Sequence, residues 1–365
     1  MTHGSTNPTK EISYHMTRSK TANRAFATAV AALVLCLCAS AAQDNESKRV
    51  LKFMTRNMDA GTDLNLIFYY YPDIPTGVSA TLEQVISTDL PSRAKHLADE
   101  IRTNQPDFIA LQEVTTWRTG ACGKTAVLYD QLQLLLDALA ARHMAYSPLV
   151  VDSLVTIEKP ALTGCVSFED RNALLVRTDL RPTGIEISNV HTYHYASYLD
   201  LTSIGVFGFP PIYHGYMYAD IKAGSDTFRL FNTHMESTYV FDPTGLLQVA
   251  QAGELVAALN ATKLPVVLCG DFNSNAEPGP EQTATVGMIL GAGFSDVWRL
   301  FNRPLTGYTW PLYYEDLANG PATPVERIDL IFTRGVRALK VDETGLTAPF
   351  ASDHAGVVAM MQIGK

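Results

Sequence analysis

The sequence predicts an α/β domain built on a mixed sheet, or on two sheets packed together with helices outside. Three observations carry this. Short apolar runs recur along the 365 residues and end on polar side chains. Some alternate with segments of helical periodicity, while others follow one another with no helix between them, which an all-parallel sheet does not allow. The composition, 47% hydrophobic and 18% charged, suits a chain with a sizeable core. Neither an internal repeat nor a low-complexity linker divides it.

Taken in order, Val50 to Arg56 reads as a strand that delivers Asn57 at its end. Residues 59–80 are turn-rich and aromatic and read as a loop or irregular cap. Ala94, Leu97, Ala98 and Ile101 share one helix face over Ser92 to Ile101, with Pro91 and Ser92 suited to its start. Asp107 to Leu111 is a buried strand ending on Gln112-Glu113, and Thr125 to Ala141 is leucine-rich and helical in pattern. Strands follow at Ala173 to Val176 and Phe228 to Phe231, then a helix over Leu246 to Leu259. Leu264 to Cys269, Ile328 to Phe332 and Gly356 to Met361 complete the strands.

The first segment reads as an address. Lys10, Arg18, Lys20 and Arg24 precede an uncharged apolar run, Ala25 to Ser40, and Ala39-Ser40-Ala41-Ala42 offers small residues for cleavage. This is the three-part pattern of a secretory signal, residues 1–42, with residues 43–365 as the folded domain and Met16 as an alternative start. An uncleaved membrane anchor is the competing reading, but the run falls short of the roughly 20 residues that span a bilayer. Leu35 and Leu37 stand where a small residue is expected before a lipidated cysteine, against attachment at Cys36 or Cys38. Of 28 basic and 37 acidic residues, the segment holds four and one, so the mature chain carries 24 and 36 and a net charge of −12. That field opposes non-specific attraction to nucleic acid. Of Cys122, Cys165 and Cys269, the first two lie in loop-like stretches and form the expected disulfide in an oxidising compartment; Cys269 ends an apolar run and reads as a buried thiol.

Asn57, Glu113, His234, Asp271 and Asn273 each stand just past the end of a strand-like run. Asp329 lies inside one, and Asp353 and His354 precede one. Strand ends are rigid platforms, so these groups converge on one rim. Their types suit phosphoester hydrolysis. A hard cation such as Mg²⁺ takes one or two carboxylates plus water and phosphate, a shell that Glu113 and Asn57 can supply. A base must prepare water and an acid must protonate the leaving oxygen; His354 with Asp329 is one candidate pair, and His234 is placed for the leaving group. Taken singly, each residue has a structural explanation: Asp-Phe-Asn alone is an ordinary Asx turn.

The ordered set Asn57, Gln112-Glu113, Asn232-Thr233-His234, Gly270-Asp271-Phe272-Asn273, Arg327-Ile328-Asp329 and Ser352-Asp353-His354 resembles the endonuclease/exonuclease/phosphatase superfamily, over about residues 50 to 362. The resemblance implies a four-layered α/β/β/α sandwich of two packed mixed sheets with outer helices, and a site at one end of the sheets. It implies Mg²⁺ or Mn²⁺ on Glu113, supported by Asn57, with Asp353 joining the metal shell. Asp271 is implied as the residue that activates water, Asn273 as a holder of a phosphate oxygen, and His354 as a phosphate contact oriented by Asp329. His234 matches a histidine of the deoxyribonuclease and sphingomyelinase branches, and Arg171 and Asn172 stand where the family places a phosphate-side contact. A surface ion pair with Glu169 or Asp170 is the alternative for Arg171.

Substrate is not chosen by the family. Residues 191–218 hold Tyr193, Tyr195, Tyr198, Phe207, Phe209, Tyr213, Tyr216 and Tyr218, with Asp200 as the one formal charge. A nucleic-acid surface interleaves aromatics with Lys and Arg, which this stretch lacks. It suits a lipid–water interface or a loop folded over the core. Phe68-Tyr69-Tyr70-Tyr71 with Tyr308, Trp310, Tyr313 and Tyr314 form either a pocket wall or packing. Three functions stay open: a secreted phosphodiesterase acting on a phospholipid or small organic phosphodiester, an extracellular nuclease, and a catalytically dead binding protein. The intact Glu113, Asp271, Asn273, Asp329 and His354 speak against the last, and no protein partner is indicated.

Overall fold

A computed structural model of the chain describes residues 49–238, 241–279, 282–313 and 321–364. The expected signal segment and Tyr314 lie outside them. The strands are β1 (Arg49–Asn57), β2 (Phe108–Gln112), β3 (Thr116–Ala121), β4 (Lys124–Asp130), β5 (Tyr146–Pro160), β6 (Cys165–Arg177) and β7 (Ile185–His194). They continue as β8 (Gly215–Ala223), β9 (Asp226–His234), β10 (Val266–Asp271), β11 (Ser295–Asp296), β12 (Asp329–Arg334), β13 (Arg337–Thr344) and β14 (Gly356–Ile363). The helices are α1 (Leu66–Tyr69), α2 (Ile74–Ser87), α3 (Leu90–Asn104), α4 (Gln131–Ala140), α5 (Leu246–Ala261), α6 (Thr285–Gly291) and α7 (Val297–Phe301).

An eight-stranded sheet runs β13-β14-β1-β2-β6-β3-β4, with β5 also on β6. A six-stranded sheet runs β11-β12-β10-β9-β8-β7. Both are mixed: β1 with β2 and β9 with β10 are parallel pairs, while β1 with β14 and β10 with β12 are antiparallel. β6 gives residues 173–176 to β2 and residues 165–169 to β3.

The apolar runs read as strands because they are buried on both faces. Successive side chains point to opposite faces. Phe108 and Ala110 therefore join the layer between the sheets, with Leu174, Val267 and Ile331, while Ile109 and Leu111 pack under α3 and α4 with Leu97, Ile101 and Leu135. On the second sheet Val266 and Leu268 pack with Leu255 and Leu259 of α5 and Ile289 of α6. Helix, sheet, sheet, helix is the expected sandwich. Phe53 bridges its centre, 5.6 Å from Phe108 in its own sheet and 5.6 Å, edge-on, from Phe228 in the other. Cys269 is buried in the inter-sheet layer, as expected.

The structure corrects two local readings and decides a third in part. Residues 59–80 are not simply loop: α1 lies within them and α2 starts there, with Asp73 accepting from the Thr76 N–H and Pro75 in its first turn. The helix expected from Thr125 begins only at Gln131. The stretch before it is β4, paired with β3, and Asp130 caps α4 by accepting from the N–H groups of Leu132 and Gln133. The aromatic stretch 191–218 contributes to the edge pair β7 and β8, and its middle folds over the core: Leu199, Leu201 and Phe209 are buried with Phe68 and Phe241. Tyr193, Tyr198 and Phe207 of that stretch stay exposed. Cys122 and Cys165 form the expected disulfide, tying the β3–β4 turn to the start of β6.

Candidate active site

Register brings the polar residues to one rim. His234 at the end of β9 lies opposite Asp271 at the end of β10, and Asp271 lies opposite Asp329 at the start of β12. In the other sheet Asn57 closes β1 opposite Gln112 of β2, so Glu113 follows at the same level. The parallel pairs deliver chain ends, and the antiparallel partners deliver chain starts, to the same edge. Gly270 is required for this packing: a Cβ there would meet the Thr233 carbonyl oxygen at 2.3 Å.

Asn57 joins the two sheets. Its Nδ2 donates to Glu113 Oε1 at 2.8 Å and to Asp271 Oδ2 at 2.9 Å, while its Oδ1 accepts from the Asp59 N–H. Here it orients two carboxylates. Glu113 Oε2 also accepts from the Ala60 N–H at 2.8 Å. Behind them Gln112 Nε2 donates to Asn232 Oδ1, and Asn232 Nδ2 donates to the Leu111 and Ala173 carbonyls, a buried cross-sheet link.

Asp271 is the hub. Its Oδ1 accepts from the Asn273 N–H at 2.9 Å, with Asn273 in the left-handed region at φ 47°. Both His234 Nε2 and His354 Nδ1 stand 3.8 Å from Asp271 Oδ2. Asn273 Nδ2 donates to the Met235 carbonyl and lies 3.3 Å from His234 Nε2. His354 Nδ1 is 2.8 Å from Asp329 Oδ2, the expected pair, which leaves Nε2 facing away from Asp329 and 3.8 Å from Asp353 Oδ1. Asp353 Oδ2 accepts from Trp310 Nε1 at 2.9 Å.

Charge crowding dominates the electrostatics. Burial pushes the Asp271 carboxyl up to about 7, and nearby Asp329 adds repulsion. Burial likewise raises Asp353 to about 7, with Asp59 and Glu113 contributing. Glu113 is raised by burial, against the pull of His354. For His354 burial disfavours the charge, but Asp329, Asp353 and Asp271 outweigh it and hold the imidazole well above its ordinary range. His234 goes the other way: burial, then the charges of His214 and His354, hold it well below, so it is neutral.

The carboxylate oxygens of this set suit a hard divalent cation. Ligand atoms of Glu113, His234 and Asp271 lie within 4.8 Å of one another, as do those of Asp271, Asp329 and His354. Asp329 Oδ1 is buried without a hydrogen-bond partner. A divalent ion would offset the mutual repulsion of these carboxylates.

Of the residues singled out from the sequence, the rim brings together Asn57, Glu113, His234, Asp271, Asn273, Asp329, Asp353 and His354. Arg171 differs. Its guanidinium bonds the Val114 carbonyl and Asp130, at 2.8 and 2.7 Å, instead of pairing with Glu169 or Asp170. Asn172 is buried with Oδ1 unpartnered. Trp310 and Tyr313 belong to the site's surroundings, Tyr313 donating to Asp59, whereas Phe68 packs on Phe209 and Phe241. Asp59, Arg93 and His214 escaped the sequence reading. Asp59 and Arg93 form a buried ion pair at 3.1 Å behind Asn57. Their signal was weak, because Arg93 sits in a helix whose apolar face alone is periodic.

Two packed mixed sheets thus carry a rim lined by carboxylates and histidines. The chain matches the Endonuclease/Exonuclease/phosphatase family over residues 86–354, and it belongs to that family, whose members are generally metal-dependent hydrolases of phosphoester bonds. Among solved structures it is similar to an endonuclease/exonuclease/phosphatase from Beutenbergia cavernae, with 22% identity, TM-score 0.57, and 87% of this chain and 72% of that one covered. A Bacteroides vulgatus protein of the same description shares 17% identity, with TM-score 0.54 and coverage of 86% and 99%. TDP2 from C. elegans shares 18%, with TM-score 0.51 and coverage of 86% and 75%. These likenesses carry the fold. No curated protein sequence matches the chain.

Proposed function

We propose that the protein is a secreted phosphodiesterase dependent on a divalent metal, Mg²⁺ or Mn²⁺, acting on a phospholipid or a small organic phosphodiester. The observation that carries this is Asn57 Nδ2 held between Glu113 and Asp271 across the two sheets, with the His354–Asp329 pair 3.8 Å from the same Asp271 oxygen. Glu113, oriented by Asn57, would hold the ion, with Asp353 joining its shell and His234 standing near it; when bound, it polarises a phosphoryl oxygen and offsets developing charge. Asp271 accepts the proton of the attacking water. His354 donates from its imidazole to a phosphoryl oxygen, oriented by Asp329. The Asn273 amide supports a second oxygen, and His234 borders the leaving group. Water adds to phosphorus, the ester P–O bond breaks, and the leaving oxygen takes a proton from bulk water while Asp271 returns the one it accepted to solvent.

The Cys122–Cys165 disulfide supports an oxidising compartment, in keeping with a signal cleaved near Ala42; an anchored form would leave the chemistry unchanged. The net charge of −12 after cleavage and the cation-free stretch 191–218, with Tyr193, Tyr198 and Phe207 exposed, favour a lipid surface over a polyanion. An extracellular deoxyribonuclease-like activity is the second reading, favoured by His234 and His354 on one rim. The test is a panel of plasmid DNA, RNA, sphingomyelin and phosphatidylcholine offered to the mature protein. Lipid cleavage is expected; rapid DNA nicking without it would reject the lipid reading.

A further inference from the structure

One short segment outside the named helices and strands touches several of the motifs that form the rim. It comprises residues 309–313, between α7 and β12. It begins at the six-stranded sheet, where the buried Thr309 Oγ1 accepts from the N–H groups of Ile328 and Asp329, each at 3.2 Å. It then reaches the eight-stranded sheet. The Thr309 carbonyl accepts from the Ala355 N–H at 2.7 Å, next to His354. Trp310 Nε1 donates to Asp353 Oδ2 at 2.9 Å, and the Leu312 N–H donates to the Asp353 carbonyl at 2.6 Å. At the far end Tyr313 is buried, and its hydroxyl donates to Asp59 Oδ2.

Asp59 is where this tie takes hold. Its N–H donates to Asn57 Oδ1 at 2.7 Å, which turns the Asn57 amide so that Nδ2 faces Glu113 and Asp271. The next residue, Ala60, donates its N–H to Glu113 Oε2 at 2.8 Å. Asp59 has a left-handed backbone, φ 58°, a conformation that persists in a residue other than glycine where surrounding contacts fix it. Arg93 and Gln131 supply those contacts. Arg93 Nη2 donates to the Met58 and Asp59 carbonyls and pairs with Asp59 Oδ2, while its Nε donates to the Ala351 carbonyl, just ahead of Asp353. Gln131 Nε2 donates to the Asp59 carbonyl at 2.7 Å. Tyr313 reaches the same carboxylate from the 309–313 segment, and so joins the turn that orients Glu113 to the segment that holds Asp353.

We propose that Tyr313 is a positioning residue for the metal centre. Through Asp59 it fixes the orientation of Asn57 and Glu113, and through the 309–313 segment it sets their place relative to Asp353 and the His354–Asp329 pair. This rests on the divalent-metal reading of the rim and holds whichever phosphoester is cleaved. The competing role for Tyr313 is that of a buried tyrosine whose hydroxyl is simply satisfied. Tyr146 is such a residue: it is buried, and its hydroxyl donates to the Pro106 carbonyl at 2.6 Å, near the start of β2 and away from the rim.

Tyr313→Phe and Tyr146→Phe are compared with wild type in Mn²⁺ affinity by calorimetry, in thermal unfolding, and in turnover of bis-p-nitrophenyl phosphate. Tyr313→Phe should weaken Mn²⁺ binding by about 10-fold, the lower end of what an outer partner of a metal ligand contributes, and turnover at subsaturating Mn²⁺ should fall with it. Tyr146→Phe should keep wild-type Mn²⁺ affinity and turnover, although each variant loses one buried hydrogen bond and both melt lower. Asp59→Asn should weaken Mn²⁺ binding as well, and Tyr313→Phe added to it should lower the affinity little further, because the two act through one contact. Mn²⁺ affinity unchanged in Tyr313→Phe, an equal loss in Tyr146→Phe, or additive losses in the double variant overturns the proposal. A wild type that binds Mn²⁺ but cleaves no phosphodiester, with affinity still lowered in Tyr313→Phe, would overturn the hydrolase reading and keep the positioning role.

Discussion

Arg327 is buried two residues ahead of Asp329 and fastens the segments that carry the reaction centre. Its Nε donates to Glu277 at 2.8 Å, and its two terminal nitrogens donate to Asp296 at 3.1 and 2.6 Å. Its backbone bonds Asn275 and Ala276, and Ile328 accepts from the Phe272 N–H, so the 271–277 turn is pinned to the entry of β12. Arg327→Ala strands Glu277 and Asp296. Removing one partner of a buried ion pair costs about 3–5 kcal/mol. Two features pull this case to the lower end. Asp296 keeps the N–H groups of Trp298 and Arg299, and Glu277 keeps its pair with Arg299. The expected loss is therefore about 3 kcal/mol, read by urea unfolding from the midpoint and slope. Turnover should fall as well, because Asp271 and Asp329 lose their common anchor, and Arg327→Lys should recover only part, since an ammonium cannot span both carboxylates. A loss below about 1 kcal/mol, the size of an exposed pair, would refute the argument.

Replacing Cys122 and Cys165 by Ser opens a loop of 43 residues, which chain entropy values at about 4 kcal/mol. Reductant should lower the melting temperature of wild type and leave the double variant unmoved. His354→Ala should lower kcat by about 10²- to 10⁴-fold, with Asp329→Asn following in the same direction, in turnover assays at constant metal. Burial lifts the Glu343 carboxyl to about 7, against the pull of Arg327. Between the ordinary carboxylate range and that value the unfolded chain has released a proton that the folded chain keeps, so this group's contribution to stability falls as pH rises through the window. Glu343→Gln should accordingly raise the melting temperature more at pH 8 than at pH 5; equal shifts would contradict the assignment.

Sequence pattern captured what burial on both faces writes plainly. Phe108 to Leu111 and Val266 to Cys269 are continuous apolar runs because one side chain faces the other sheet and the next faces a helix. Exposed edges write nothing so clear. In β4, Val127 and Leu128 are exposed, so their apolar character merged with the leucines of α4 into one long helical pattern. α2 was hidden by its aromatic approach, Tyr69-Tyr70-Tyr71-Pro72, which reads as turn.

The site was legible wherever a residue closes a parallel strand: Asn57, Glu113, His234 and Asp271 all follow apolar runs. Antiparallel partners bring their starts to the same rim, and starts carry no such mark. Asp329 and His354 stand inside and just before strand-like runs, a weaker mark that motif order reinforces, whereas His214 belongs to no motif and is visible only through the register of β8 on β9. For Arg171, sequence adjacency suggested Glu169 or Asp170 as partners, but Asp170 faces the other side of the strand, Glu169 pairs with Arg118, and the Arg171 guanidinium reaches Asp130 instead.

Metal-dependent turnover of bis-p-nitrophenyl phosphate by the mature protein tests the central claim most directly. The account predicts cleavage with Mg²⁺ or Mn²⁺, its abolition by EDTA, and its loss in Asp271→Ala. Turnover without metal, or full activity in Asp271→Ala, would contradict it.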